Sequence, residues 1–220
     1  MKKVEKSFLI GCVIGDGCLY KNIKSKSVSF KLTHSIKQKD YFLWKVDKLR
    51  TILNSQTKSK IQFRDCYHKN TGKIYKQINW GKGHRYFRIL RKWMYINNKK
   101  TITKFILNKL TPEAIAIWYM DDGSLTYKKE KGIIHAREFT LNTYISKEEN
   151  QIIVDYFINK WNIKMAIYKS KNHYRLRFGG KEGWKFIKLI DPYIHKSMLY
   201  KIDMKYKDFM NEKFQNFLLT

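Results

Sequence analysis

Two stretches of the chain are apolar on every side at helical length, and both end in Asp-Gly: Leu9-Ile10-Gly11-Cys12-Val13-Ile14-Gly15-Asp16-Gly17 and Ile115-Ala116-Ile117-Trp118-Tyr119-Met120-Asp121-Asp122-Gly123. A helix that is apolar all round is a buried one, so the pattern predicts two core helices. In the first, Val4, Phe8, Gly11 and Gly15 share a face, and the two glycines remove the Cβ atoms that would hold a neighbouring backbone away. The second has a well-marked start, with Thr111 as N-cap, Pro112 in the first turn and Glu113 near the positive end of the helix.

After each apolar helix the period changes from helical to alternating. Phe30 and Leu32 point one way while Ser29, Lys31, Thr33 and Ser35 point the other, as in a half-buried strand; Phe139 and Leu141 alternate in the same way with Glu138, Thr140 and Asn142. Amphipathic helices follow near residues 38–53 and 147–161. Next, Ile61 and Phe63 alternate with Lys60, Gln62 and Arg64, and a turn at Lys69-Asn70-Thr71-Gly72 leads to a strand with Tyr75, Gln77 and Asn79 on one face. In the second half a turn near Lys171-Asn172 precedes Tyr174, Leu176 and Phe178, which alternate with Arg175 and Arg177. Helices near 85–95 and 181–190 close the two series. The expected fold is α+β, two pseudo-symmetric αββαββα halves at 1–98 and 113–220 joined by a linker at 99–112. The basic stretch from Lys201 to Lys213, followed by Phe214, Phe217 and Leu218, reads as a docking helix.

Composition narrows the partners. With 43% hydrophobic and 15% aromatic residues in 220, the chain can bury a core and is not a disordered basic tail. Its formal charge is +28, from 46 Lys+Arg against 18 Asp+Glu spread along the chain, a self-repulsion best relieved by a polyanion such as nucleic acid. No apolar run approaches the roughly 18 residues of a membrane span, and Phe8 to Ile14 lacks a signal-peptide cleavage site. No membrane partner is expected. Three cysteines, odd in number and without metal-ligand spacing, point to a reducing intracellular compartment and away from zinc. An organelle (mitochondrion or chloroplast) and a bacterial or phage cytoplasm both remain open. The 6 histidines form no HNH or zinc arrangement and are read as surface or core residues.

The chemistry lies at the two Asp-Gly endings. The C-terminus of a helix carries partial negative charge and disfavours a carboxylate, so two such endings in a basic protein invite a compensating cation. The same ending is also an ordinary helix stop in which Gly17 or Gly123 turns left-handed. Its repetition at about half the chain length favours a duplicated functional unit. The polar strand faces carry the side-chain types that read base edges and phosphates, although the outer face of any antiparallel sheet is solvated. Lys21, Asn22, Lys24 and Tyr168 complete the expected DNA-contacting set. A ten-residue strand spans about 33 Å, close to ten base pairs at roughly 3.4 Å each, so two sheets end to end would cover about two duplex turns.

These features resemble the LAGLIDADG homing endonucleases with two motif copies in one chain. The similarity rests on both motifs, on Leu141-Asn142-Thr143, and on Pro192-Tyr193 followed by Met198-Leu199-Tyr200-Lys201. The resemblance implies motif helices side by side at a pseudo-twofold axis, with antiparallel sheets forming a DNA-binding saddle. It implies that Asp16 and Asp122 are the catalytic, metal-binding acids, with Gly15 and Asp121 contributing backbone carbonyls and no catalytic role for the Asp121 side chain. Lys100 and Lys201 match the family's basic active-site positions at similar distances from the two aspartates, with Lys99 a substitute for Lys100. Ile117 stands where the motif has a small residue, which implies that Gly11 faces a bulkier partner.

The expected activity is therefore Mg²⁺-dependent double-strand cleavage of a long asymmetric DNA target by a monomer, with Mn²⁺ able to substitute. The resemblance further implies short 3′ overhangs and a mobile intron or similar element as the gene's home. The alternatives are an RNA-binding intron maturase, with intron RNA as partner, and a noncatalytic DNA-binding protein on the same fold.

Overall fold

A computed structural model describes residues 1–22, 27–54, 59–131, 133–170 and 173–202. Lys24, the Lys171-Asn172 turn and the expected docking helix after Ile202 lie outside the described residues. The first half runs α1 (Lys3–Ile14), β1 (Cys18–Lys21), β2 (Val28–Ser35), α2 (Lys39–Ile52), β3 (Gln62–His68), β4 (Lys73–Gly83) and α3 (Arg85–Met94). A short hairpin of β5 (Tyr95–Ile96) and β6 (Lys99–Lys100) and the single turn α4 (Lys104–Leu107) follow. The second half repeats the first as α5 (Pro112–Asp122), β7 (Gly123–Glu130), β8 (Ile133–Leu141), α6 (Lys147–Trp161), β9 (Ala166–Ser170), β10 (His173–Gly179) and α7 (Gly180–Ile190). Each half is αββαββα. The sheets have matching orders, β1-β2-β4-β3 and β7-β8-β10-β9, with every pairing antiparallel.

The motif helices are buried along their length, Ser7 to Ile14 in α1 and Ala114 to Met120 in α5. Glu5 accepts from the Lys2 backbone N–H at 2.6 Å at the start of α1. Thr111 caps α5 by accepting from the Ala114 N–H at 3.4 Å, and its own N–H donates to Ser7 Oγ at 2.8 Å, tying the start of α5 to α1. The first sheet lays its apolar face on α2 and α3, and the second on α6 and α7. Phe30 stacks on Phe87 with centroids 5.7 Å apart in the first half, and Phe139 stacks on Phe178 at 5.7 Å in the second.

Gly11 packs directly on the α5 backbone, where a Cβ would stand 2.6 Å from the Ala114 carbonyl oxygen and 2.9 Å from its Cα. Its neighbour is therefore the small Ala114 and not the bulkier Ile117, which corrects the expected asymmetry at that contact. Val4, expected on the same packing face, is 55% exposed because the helix contact ends before the first turn. Neither Asp-Gly ending is a left-handed stop. Gly123 has φ −81° and Gly17 is not among the positive-φ glycines; both positions instead lack room, Gly17 against Cys12 and Phe30, Gly123 against Tyr119.

Candidate active site

Asp16 and Asp122 emerge at the C-terminal ends of the paired helices. The Asp16 side chain is 37% exposed and the Asp122 residue is half-buried. Burial raises the Asp16 carboxyl above its usual range, and repulsion from Asp121 adds to this against the pull of His34 and Lys45. Burial, reinforced by Asp121 and then Asp16, pushes the Asp122 carboxyl up to about 7. Both carboxylates are thus poorly compensated by the protein alone. Their oxygens suit a hard divalent cation, which supplies the missing positive charge.

Lys100 and Lys201 occupy equivalent places beneath these ends. Lys100 Nζ donates to the carbonyls of Val13, Ile14 and Gly15 at 2.8, 3.1 and 2.9 Å. Lys201 Nζ donates to the carbonyls of Met120 and Asp121 at 2.5 and 3.1 Å. Each ammonium therefore offsets the negative end of its own motif helix. Burial lowers the pKa of both amines, against the pull of the surrounding carboxylates. Lys99, the alternative to Lys100, is exposed and pairs with Ile96 across the short hairpin.

A buried polar cluster beside Asp16 has no counterpart in the sequence reading. The Asp121 side chain is fully buried, and Lys45, also fully buried, donates to its Oδ1 and Oδ2 at 2.9 and 2.8 Å. Tyr41 donates to Asp121 Oδ1 at 2.9 Å. The Asp16 backbone N–H donates to Asp121 Oδ2 at 3.1 Å. Burial depresses Lys45, but Asp121 together with Cys12 and Asp16 outweighs it and holds the amine above its ordinary value. Burial, then Lys45, keeps His34 below its ordinary value. His34 Nδ1 lies 2.9 Å from Gln38 Oε1 and 3.5 Å from Asp16 Oδ2, while Nε2 lies 3.4 Å from Lys45 Nζ. Those partners place the ring proton on Nδ1, leaving Nε2 to accept.

Asp16, His34 and Asp121 bring three potential metal-ligand atoms within 4.8 Å of one another. The Lys45 ammonium already occupies the Asp121 carboxylate of this group. One signal could have revealed the cluster: Lys45 lies on the same stripe of α2 as buried Tyr41, Phe42, Val46 and Leu49. A lysine there needs a buried anion.

The expected DNA-contacting residues fall into two groups. Lys21, Asn22, Lys31, Thr33, Ser35, Lys60, Gln62, Arg64, Tyr75 and Tyr168 are exposed, while Ser29, Gln77, Asn79, Glu138, Asn142, Arg175 and Arg177 are half-buried. The pairings Thr33↔Asn79, Ser35↔Gln77, Gln62↔Asn79 and Arg64↔Gln77 put much of the first-half set on one continuous face. The second-half set is partly engaged. Thr140 is buried, Asn142 Nδ2 donates to the Asp122 carbonyl at 2.9 Å, and Arg177 Nε donates to Glu138 Oε1 at 2.6 Å. Thr140 and Asn142 were expected on the open face. Thr140 sits between Ser124 of β7 and Arg177 of β10, and half-buried Asn142 bonds the end of the motif helix.

The profile of the LAGLIDADG DNA endonuclease family matches residues 6–186, and the chain belongs to that family. Its fold is that of the homing endonuclease I-WcaI, solved bound to its DNA recognition sequence. The TM-score is 0.79 at 23% identity, over 92% of this chain and 87% of that one. A probable intron-encoded endonuclease 1 of Wickerhamomyces canadensis is 26% identical over 211 residues, 92% of this chain and 85% of that protein. The cytochrome b mRNA maturase bI2 of Debaryomyces hansenii is 29% identical over 208 residues, 91% of this chain and 75% of that protein. The chain also matches the RecA protein of Mycolicibacterium flavescens at 28% identity over 214 residues, where 88% of this chain spans 45% of the relative's length. No helix among the described residues is long and apolar enough to cross a membrane.

Proposed function

We propose that the protein is a monomeric, site-specific homing endonuclease that makes a double-strand break in a long, asymmetric duplex target, leaving short 3′ overhangs. The observation that carries this reading is the pair of under-compensated carboxylates, Asp16 and Asp122, at the adjoining ends of two buried helices within a chain of charge +28. Asp16 and Asp122 would hold Mg²⁺, with Mn²⁺ as a substitute and the Gly15 and Asp121 carbonyls beside them. A bound cation there would supply an activated water and neutralise charge on the scissile phosphate. Lys100 and Lys201 keep the helix ends electrostatically acceptable for acids and lie near enough to influence charge developing at the phosphate. The exposed β-face residues would track the duplex. Arg64, Arg175 and Arg177 have the chemistry for base edges, and Lys21, Lys31 and Lys60 for phosphates.

A second reading, RNA-assisted splicing, draws support from the 29% identity to the Debaryomyces hansenii maturase. The two readings are separated by incubating a plasmid carrying the uninterrupted host gene with the protein in Mg²⁺ or in EDTA, beside Asp16→Asn and Asp122→Asn. The nuclease reading expects linear product only for wild type in Mg²⁺, with specific binding kept in both variants. Intron binding without cleavage under every condition would favour the maturase.

A further inference from the structure

The strands that follow the two motifs are in matching register. Leu19 pairs with Phe30 and Leu125 with Phe139, each leucine lying at the same distance beyond its motif aspartate. In α2 and α6 the buried positions match Phe42 with Asn150, Lys45 with Ile153, Val46 with Val154 and Leu49 with Phe157, so an apolar residue stands in the place of Lys45. Within the motifs, Gly15 stands against Asp121. The charged cluster of Lys45, Asp121, Tyr41 and His34 therefore exists on one side of the pseudo-twofold axis only. On the other side buried Ile153 takes the place of Lys45, and Thr143 Oγ1 donates to Asn150 Oδ1 at 2.7 Å.

The cluster bears on one aspartate. Asp121 Oδ2 accepts the Asp16 backbone N–H at 3.1 Å, and His34 Nδ1 lies 3.5 Å from the Asp16 carboxylate. At the other end, Gly15 has no side chain with which to hold the Asp122 N–H. Asp122 is instead fixed through its carbonyl, which accepts from the Asn142 N–H at 3.0 Å and from Nδ2 at 2.9 Å. Asp121 can reach across because Gly15 leaves the space: a Cβ on Gly15 would stand 2.7 Å from the Asp121 Cβ.

We propose that Asp121, clamped by Lys45 and Tyr41, is a positioning residue for Asp16 and not for Asp122, so that the two strand scissions place unequal demands on the protein. The proposal rests on the nuclease reading. A reacting group misplaced by about 1 Å can cost on the order of a hundredfold in rate, so loosening Asp16 alone should slow one strand.

The test is Lys45→Ile combined with Asp121→Gly, which copies Ile153 and Gly15 and leaves no buried charge unpaired. Single-turnover cleavage at saturating protein is followed on target duplex with the two strands separately labelled. The expected result is a change of about tenfold or more in the ratio of the two strand rates, with nicked product accumulating and target affinity unchanged. Asp121→Asn, which keeps an acceptor for the Asp16 N–H, should bring the ratio back toward wild type. Equal slowing of both strands, or an unchanged ratio, overturns the proposal. If the double variant loses its cooperative melt, Tyr41→Phe is decisive by the same ratio, and no shift there overturns it. Failure of the wild-type protein to cut either strand would sink the nuclease reading itself, a different outcome from an unchanged ratio.

Discussion

Gly11→Ala tests the close helix contact on which the site depends. The new methyl would stand 2.6 Å from the Ala114 carbonyl oxygen, 2.9 Å from its Cα and 3.1 Å from its carbonyl carbon. Relaxed carbon contacts lie at about 3.5–4.0 Å, so α1 and α5 must separate by roughly 1 Å. No side chain can swing away to relieve the clash, because all three atoms belong to the backbone. Overpacking of this kind costs about 1–3 kcal/mol, and the better helix propensity of alanine returns up to ~1 kcal/mol. A net loss of about 1–2 kcal/mol in a chain of this size lowers Tm by roughly 2–8 °C. The same separation moves the aspartates apart, so single-turnover cleavage at saturating protein should fall by about ten- to a hundredfold while binding changes less. Melting by circular dichroism and quenched-flow cleavage read the two effects. Adding Ala114→Gly should rescue neither, since the clash is with the Ala114 main chain. A Gly11→Ala protein that melts at or above the wild-type temperature, or full rescue by Ala114→Gly, would refute this account of the contact.

Three further outcomes are expected. In chelator, Asp122→Asn should gain stability on wild type as pH rises from about 4 to about 8. The raised carboxyl of the folded state binds a proton that the unfolded chain releases near 3.9, so its stabilisation is complete below that value and is lost as pH rises through about 7. The difference is at most ~4 kcal/mol, and parallel denaturant-stability curves for the two proteins across that range would contradict it. Lys100→Met should slow cleavage more than it weakens binding and also cost about 1–3 kcal/mol of stability, because it strips a donor from the carbonyls of buried Val13, Ile14 and Gly15; calorimetry showing no loss would assign the amine to the phosphate alone. Arg64→Ala should cost about 1–3 kcal/mol of binding and relax preference at one base pair if the guanidinium reads a base edge. A uniform loss across a target library, with a shallower salt slope, would make it a phosphate contact.

The order of elements was legible because each is dictated locally. The change of period after each motif marks β2 and β8, and the Thr111-Pro112-Glu113 start marks α5. The two acids were legible as repeated violations of the helix dipole. What escaped was the set of contacts made between halves. Nothing near Asp121 in sequence indicates that its side chain meets Lys45 and Tyr41 from another helix, or that Ala114 rather than Ile117 lies over Gly11. Those facts depend on the crossing of α1 and α5, which the residue pattern constrains only loosely. The faces of β8 and β10 followed the alternation, with Phe139, Leu141, Leu176 and Phe178 buried. Alternation also assigns Thr140 and Asn142 to the open side, but it does not reveal that Thr140 is buried or that Asn142 bonds the Asp122 carbonyl at the end of α5.

The fit of Asp121 into the space beside Gly15 also determines which assemblies are available. Two second halves facing one another would set two Asp121 carboxylates together at the axis, with Ile153 where each would need a lysine. Two first halves would leave an empty notch at paired glycines and bury Lys45 twice without an anion. Each like-with-like pairing strands a charge that the mixed pairing neutralises, a penalty of several kcal/mol per ion. The halves are therefore complementary in the manner of an obligate heterodimer. Separately expressed, they should find each other in preference to themselves, and a mismatched pair exchanged between two chains gains nothing over the contact made within one.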